Sequence, residues 1–286
     1  MSGADRAGSD EPAARRVAAW LEALERRHLS TLTFAEVRRA LVALSSLYVE
    51  RRAGLPRGEA LGSAGKRAAF ALFYGPLHFR LIGAIVRGLA AGGPAPRTVV
   101  DLGCGTGVAS AAWALERGGL PVLEGVDRSG WAVDEARWTW GRLRLRGHAQ
   151  RRELASTPLE GRRLGVVCAF TANELEERAR GALLGRLLKA SATGAQVLVV
   201  EPLSTRVSPW WTVWRESFVR QGGREDVWRV PWVRSQTLAL LDHAAGLDHR
   251  EIAGRSLWLG APAGGYRQEV TGSRAALSTD DETSLI

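Results

Sequence analysis

The stretch Thr98-Val99-Val100-Asp101-Leu102-Gly103-Cys104-Gly105-Thr106-Gly107 constrains this chain more than any other. A β-branched run passes into three alternating glycines and then into an apolar segment at helical spacing, the order strand, turn, helix. Gly103 and Gly105 remove side chains where backbone must approach a ligand, and Gly107 opens a helix whose free N–H groups face a crevice. In an open α/β sheet that crevice lies beyond the carboxyl ends of the strands. The glycines alone also suit a dinucleotide site or a mere tight connection.

Two acids narrow the choice. Asp101, inside the strand end, would meet the ammonium of a methionine moiety and repel a pyrophosphate. Asp127 closes the next apolar run, PVLEGVD, twenty residues after Gly107, where a carboxylate accepts both ribose hydroxyls. The expected cofactor is therefore S-adenosylmethionine, held by Asp101, Gly103, Cys104, Gly105, Gly107 and Asp127. Arg128 and Trp131 follow closely enough to flank an adenine, although Trp131 equally suits packing on a helix face. Glu153, beside Leu154 at the end of the third strand, is placed to accept from the adenine amino group, or to pair with Arg151 and Arg152 on the surface. Phe170, ending the fourth strand, completes the cofactor set.

The fourth strand continues into Thr171-Ala172-Asn173-Glu174-Leu175, which should face the transferring methyl. The Asn173 amide can orient a donor nitrogen or a carbonyl, and the Glu174 carboxylate can bind a cation or accept a proton. Asn173 equally suits the cap of a helix beginning at Glu174. With no Asn-Pro-Pro-aromatic motif and no catalytic cysteine, direct in-line displacement is the expected mechanism, with positioning as the main source of rate.

Around this centre, strands are expected at 98–102, 122–126, 149–152, 165–170 and 196–201, with helices at 107–117, 131–144 and 174–190 between them. A Trp-rich irregular insertion is expected over 203–232, then a helix over 235–245 and a short antiparallel pair at 248–252 and 256–259. The fold class is α/β, a Rossmann-like, mostly parallel seven-stranded sheet with helices on both faces and an N-terminal helical extension. The domain occupies 97–265, preceded by a helical segment at 13–96 with helices at 13–27, 34–52 and 67–91, the last bent at Tyr74-Gly75-Pro76. Residues 1–12 and 266–286 are expected to be disordered tails.

The glycine motif with its following acid resembles motif I of class I S-adenosylmethionine-dependent methyltransferases. More narrowly, Tyr74-Gly75-Pro76-Leu77-His78-Phe79, DLGCGTGVASAAWA, TANELEERAR and VLVVEPLST resemble the methyltransferase-like family related to a mitochondrial small-ribosomal-subunit protein. That resemblance spans about residues 67–205, outside which one departure matters. The family commonly carries a downstream cysteine set that looks like an iron–sulfur site, whereas residues 202–286 contain no cysteine. The resemblance implies a cofactor fold and carries over no metal cluster or ribosomal role.

Cys104 and Cys168 are too few for a disulfide framework or a four-thiolate metal site, and they read as small core or loop residues. No metal ligand is assigned. No uninterrupted apolar run approaches a membrane span and the N-terminus lacks a secretory apolar stretch, so a cytoplasmic protein with no membrane partner is expected. Residues 1–100 hold 15 Lys and Arg against 8 Asp and Glu, whereas 101–286 hold 24 against 22. RNA is therefore allowed as a substrate through Arg51, Arg52, Arg57, Lys66 and Arg67, but a small molecule is favoured because the Arg excess has a compositional explanation. Pro209-Trp210-Trp211-Thr212-Val213-Trp214 is either a stacking surface or a hydrophobic lid or dimer patch. The competing classes are a non-catalytic protein of this fold that assists ribosome or complex assembly, and a nicotinamide dehydrogenase, which Asp101 and the absent G-x-G-x-x-G spacing disfavour.

Overall fold

A computed structural model describes residues 12–50, 61–89, 94–204, 208–232, 235–247 and 249–260. The expected tail positions 1–11 and 266–286, together with Arg51, Arg52 and Arg57, lie outside the described residues.

The β-branched and apolar runs form the strands β1 (Thr98–Leu102), β2 (Val122–Asp127), β3 (Gly147–Arg151), β4 (Leu164–Ala169), β5 (Gln196–Glu201), β6 (Arg224–Pro231) and β7 (Glu251–Leu259). They make one sheet in the order β3-β2-β1-β4-β5-β7-β6. β7 alone runs against its neighbours, pairing antiparallel with β5 and with β6. Every residue of β5 is buried, as a parallel strand covered on both faces must be. β6 alternates exposed and half-buried residues and carries Arg224, Glu225, Asp226 and Arg229, a charged edge that discourages pairing with another sheet.

The helices are α1 (Ala13–Leu29), α2 (Phe34–Glu50), α3 (Ala64–Ala69), α4 (Gly75–Leu89), α5 (Val108–Arg117), α6 (Gly130–Arg142), α7 (Glu177–Ala192), α8 (Trp211–Arg220) and α9 (Gln236–Ala244). A single π-helical turn at Phe70–Tyr74 joins α3 to α4 without a break. The bend expected at Tyr74-Gly75-Pro76 is thus a widened turn just before the proline, which frees Pro76 from the clash a ring inside an α-helix would make. The continuous helix over 64–89 is long and apolar enough to cross a membrane, and 72% of its apolar window is buried inside this fold. In sequence this helix is interrupted by glycines, Pro76 and basic residues, and in the fold it is a core helix.

Two cores flank the sheet, with alternate residues of each strand serving opposite faces. Val99, Val167, Leu198 and Val200 face α3 to α6, while Val100, Val166, Cys168, Val197 and Val199 face α7 and α8. Trp20, Val37, Leu41 and Leu44 of α1 and α2 are fully buried in the first of these cores. The helical segment set apart in the sequence as 13–96 is therefore continuous with the domain.

Three further expectations change. Residues 203–232 are no irregular insertion: the described ones build α8 and the edge strand β6. The short pair at 248–252 and 256–259 is one strand, β7, so the seven expected strands are right in number and wrong in the identity of the sixth. The helix expected from Glu174 begins at Glu177, after a 3-10 turn at Ala172–Glu174.

Candidate functional site

The strand order reverses between β1 and β4, which opens a crevice beyond their carboxyl ends. The glycine turn fills that position. The amides of Gly103 and Cys104 both donate to the Val126 carbonyl at 2.9 and 3.0 Å, tying the turn to the end of β2. All three glycines have positive φ, which side-chain-bearing residues adopt only at a cost. Their surroundings differ. A Cβ on Gly103 would lie 2.4 Å from Thr171, and one on Gly107 would lie 2.8 Å from Trp140 Nε1 and 2.9 Å from Ala136. A Cβ on Gly105 would meet only Phe70 Cε1 at 3.9 Å. Gly103 and Gly107 are thus needed for internal packing, and only Gly105 presents bare backbone to open space.

Asp127 ends β2 beside this opening. Its Oδ2 accepts the Gly105 N–H at 3.0 Å and its Oδ1 accepts the Ser129 N–H at 2.8 Å. Each oxygen keeps acceptor capacity, since a carboxylate offers about four lone-pair positions. Ser129 in turn caps α6 by accepting the Ala132 N–H. The amide of Arg152 donates to the Asp127 carbonyl, so β3 delivers Glu153 and Leu154 to the rim, with Glu153 exposed and Leu154 half-buried. Arg128 is half-buried and its carbonyl accepts from Arg151 Nε at 3.0 Å.

Asp101 lies elsewhere than expected. It is 1% exposed, and its Oδ2 accepts the Ser110 N–H in the first turn of α5 at 3.1 Å. Burial pushes its pKa up to about 6, against the lowering effect of the Ser110 hydrogen bonds, and the nearby Asp127 charge adds to the rise. In this arrangement Asp101 braces the turn from beneath and reaches no open surface. Cys104 is buried as well, its thiol pushed far up by burial and by the Asp101 and Asp127 charges, so it contributes packing and not a thiolate.

The opposite lip is aromatic. Phe170 has φ of +57°, unusual for a bulky residue, and its ring stacks on His78 at 3.9 Å between centroids and 17° between planes. Tyr74 and Phe70, from the π-helical turn, lie 5.9 and 6.2 Å from the His78 ring. Sequence reasoning assigned only Phe170 here. The π-helical turn is what brings Phe70, Tyr74 and His78 to the lip, and no local pattern announces such a turn.

Asn173 sits in a closed chain of hydrogen bonds. Its Nδ2 donates to Glu201 Oε2 at 2.6 Å, its N–H donates to Oε1 at 3.3 Å, and its Oδ1 accepts from Trp210 Nε1 at 2.9 Å. Glu201 ends β5 and is fully buried. The Arg180 guanidinium stacks over Trp210 at 5.4 Å and donates to the carbonyls of Ala172 and Leu175, fastening the 3-10 turn. Asn173 is therefore neither a helix cap nor an unattached amide facing the crevice, and Glu174 is exposed. Glu201 and Trp210 were missed as partners, because 28 and 37 residues separate them from Asn173.

A reversed seventh strand, a glycine turn at the β1/β4 switch point and an acid ending β2 now stand together. The arrangement is a Rossmann-like α/β fold with a mostly parallel seven-stranded sheet. No protein-family model and no curated protein matches the chain. Among solved structures, the plantazolicin methyltransferase BpumL in complex with SAH is 11% identical, with 83% of this chain and 99% of that chain covered at a TM-score of 0.46. Magnesium protoporphyrin IX methyltransferase from Synechocystis PCC 6803 with bound SAM is 14% identical, covering 83% and 96% at 0.41. A candidate RNA methyltransferase from Pyrococcus horikoshii is 13% identical, covering 63% and 81% at 0.41.

Proposed function

We propose that this chain binds S-adenosylmethionine in the crevice between the glycine turn and Asp127 and transfers its methyl group to an acceptor. The observation that carries the reading is Asp127, whose carboxylate bridges the Gly105 and Ser129 amides at the one glycine of the turn that faces open space. The residues suit the cofactor in a second respect, for the Thr106 hydroxyl is buried beside this turn with no hydrogen-bond partner. Bound there, the cofactor supplies an electrophilic methyl on a sulfonium. Asp127 accepts two adjacent hydroxyls with its remaining lone pairs. Bare backbone at Gly105 permits close approach, while Phe170, His78, Tyr74 and Phe70 wall off water from the opposite lip. Asn173 acts as a positioning residue through Glu201 and Trp210, and rate comes from orientation.

Titration calorimetry tests the reading. The protein should bind S-adenosylmethionine, and Asp127→Ala should weaken that binding by about 1.5–3 kcal/mol, the scale of hydrogen bonds to a charged group. Heat with NAD and none with S-adenosylmethionine would sink it.

A further inference from the structure

The N-terminal helix α1 lies across α6 and leaves a groove between them. Two adjoining hollows of about 440 and 290 Å³ form it, and Arg26 and Arg142 line both. Arg27 lines the first, and Arg16 and Arg144 line the second. The first is floored by Trp138, with the Arg27 guanidinium 4.9 Å and the Arg142 guanidinium 5.6 Å from its ring centre. Seven residues earlier on the same face of α6, Trp131 carries Arg67 over its ring at 6.0 Å. Arg–Trp stacks thus run along α6 from beside the Asp127 turn to the far end, about 16 Å by helical rise.

Acids do not balance the charge of Arg16, Arg26 and Arg142. Glu135, 1% exposed, takes Arg27 and His28 at 3.3 and 2.9 Å and fastens α1 to α6. Glu22 approaches Arg26 at 3.7 Å with both side chains 71% exposed, a pair too solvated to neutralise it. Among the described residues no acidic side chain pairs with Arg16 or Arg142. Arg16 is nine-tenths buried, donates through Nη1 to the Leu143 carbonyl and has an unpartnered Nε. A buried cation without a counter-charge is costly, and a ligand anion would relieve it.

We propose that the α1–α6 groove binds the phosphate backbone of RNA. Guanidinium planes and indole rings in alternation suit a strand that offers phosphates and stackable bases together. An anionic membrane is the poorer fit, because the surface is concave. The groove needs neither cofactor nor transfer chemistry, so it goes beyond the methyltransferase reading.

Anisotropy of a labelled single-stranded RNA of about 20 nucleotides, titrated with the full chain, tests this. Affinity should fall at least about tenfold between about 50 and 200 mM salt. The double variant Arg26→Glu/Arg142→Glu should lose at least about tenfold at fixed salt, while Arg178→Glu/Arg220→Glu, on α7 and α8, keeps wild-type affinity. Calorimetry with S-adenosylmethionine should not distinguish the groove variant from wild type, which shows that the fold is retained. RNA binding without cofactor binding would overturn the methyltransferase reading and leave the groove standing. The groove proposal is overturned by absent RNA binding, by equal losses in both double variants, by tighter binding to phosphatidylserine vesicles than to RNA, or by a loss that follows only reversal of Arg51, Arg52 and Arg57.

Discussion

At the scale of single residues, Asp101 and Asn173 show how a chemistry-bearing side chain is redirected by its surroundings. Asp101 carries the charge expected of a ligand contact, yet its oxygen holds the start of α5 in a site that disfavours ionisation. Its pKa in the fold, about 6, stands above the ordinary 3.8, so folding favours the protonated form. Stability from this group is then fully present below about pH 4 and is lost as pH rises through about 6. Asp101→Asn retains an acceptor for Ser110 without the charge. The variant's unfolding free energy should gain on the wild type by roughly 2–3 kcal/mol between about pH 4 and pH 8. Denaturant titrations at the two pH values check this, and a pH-independent difference would show that folding leaves the Asp101 pKa unchanged.

At the scale of elements, the turn from β1 to α5 is a junction of three packing demands. Trp140 of α6 donates through its Nε1 to the Gly107 carbonyl at 2.8 Å, so α6 presses on the start of α5 and leaves no room for a Cβ there. Gly107→Ala should destabilise the protein by roughly 3 kcal/mol or more, combining left-handed backbone strain with overpacking. Gly105→Ala carries only the backbone cost of about 1–2 kcal/mol, since space lies beyond it. That variant should remain folded and lose cofactor binding. Urea denaturation beside calorimetry separates the two, and equal destabilisation by both would refute the distinction between packing glycine and crevice glycine.

At the scale of the whole molecule, the N-terminal helices belong to the same core as the sheet's α3–α6 layer. Glu25 of α1 accepts from Ser235 and Thr237 at the start of α9, and Glu135 holds the other side of α1. Removing residues 1–60 would uncover the π-helical turn and Phe79, whose ring packs on Trp20 at 5.3 Å between centroids. Such a chain should melt well below the full one and bind a hydrophobic dye, as thermal scans would show. Unchanged melting would mean that the helices are a separable addition.

The elements with strong local signals were legible in advance. β1 and β5 begin and end where the residues predict, because a β-branched run bounded by glycine or proline needs no distant partner to be recognised. Asp127 and Gly105 were legible for the same reason, since their spacing follows from the strand–turn–helix unit itself. Residues 203–232 were not, because β6 is an edge strand with Val227 exposed and Asp226 half-buried, so it lacks the clean alternation that would announce a strand and is defined only by pairing with β7. Nor was the Asn173–Glu201–Trp210 chain, whose members meet only because β4 and β5 are neighbours. The sequence by itself determined the alternating α/β order, the glycine turn and the acid that follows it, all of them local matters of backbone conformation and spacing. Tertiary structure alone decided which glycine faces the crevice, where Asp101 points and which arginines gather on α6, because each depends on burial and charge brought together across the chain.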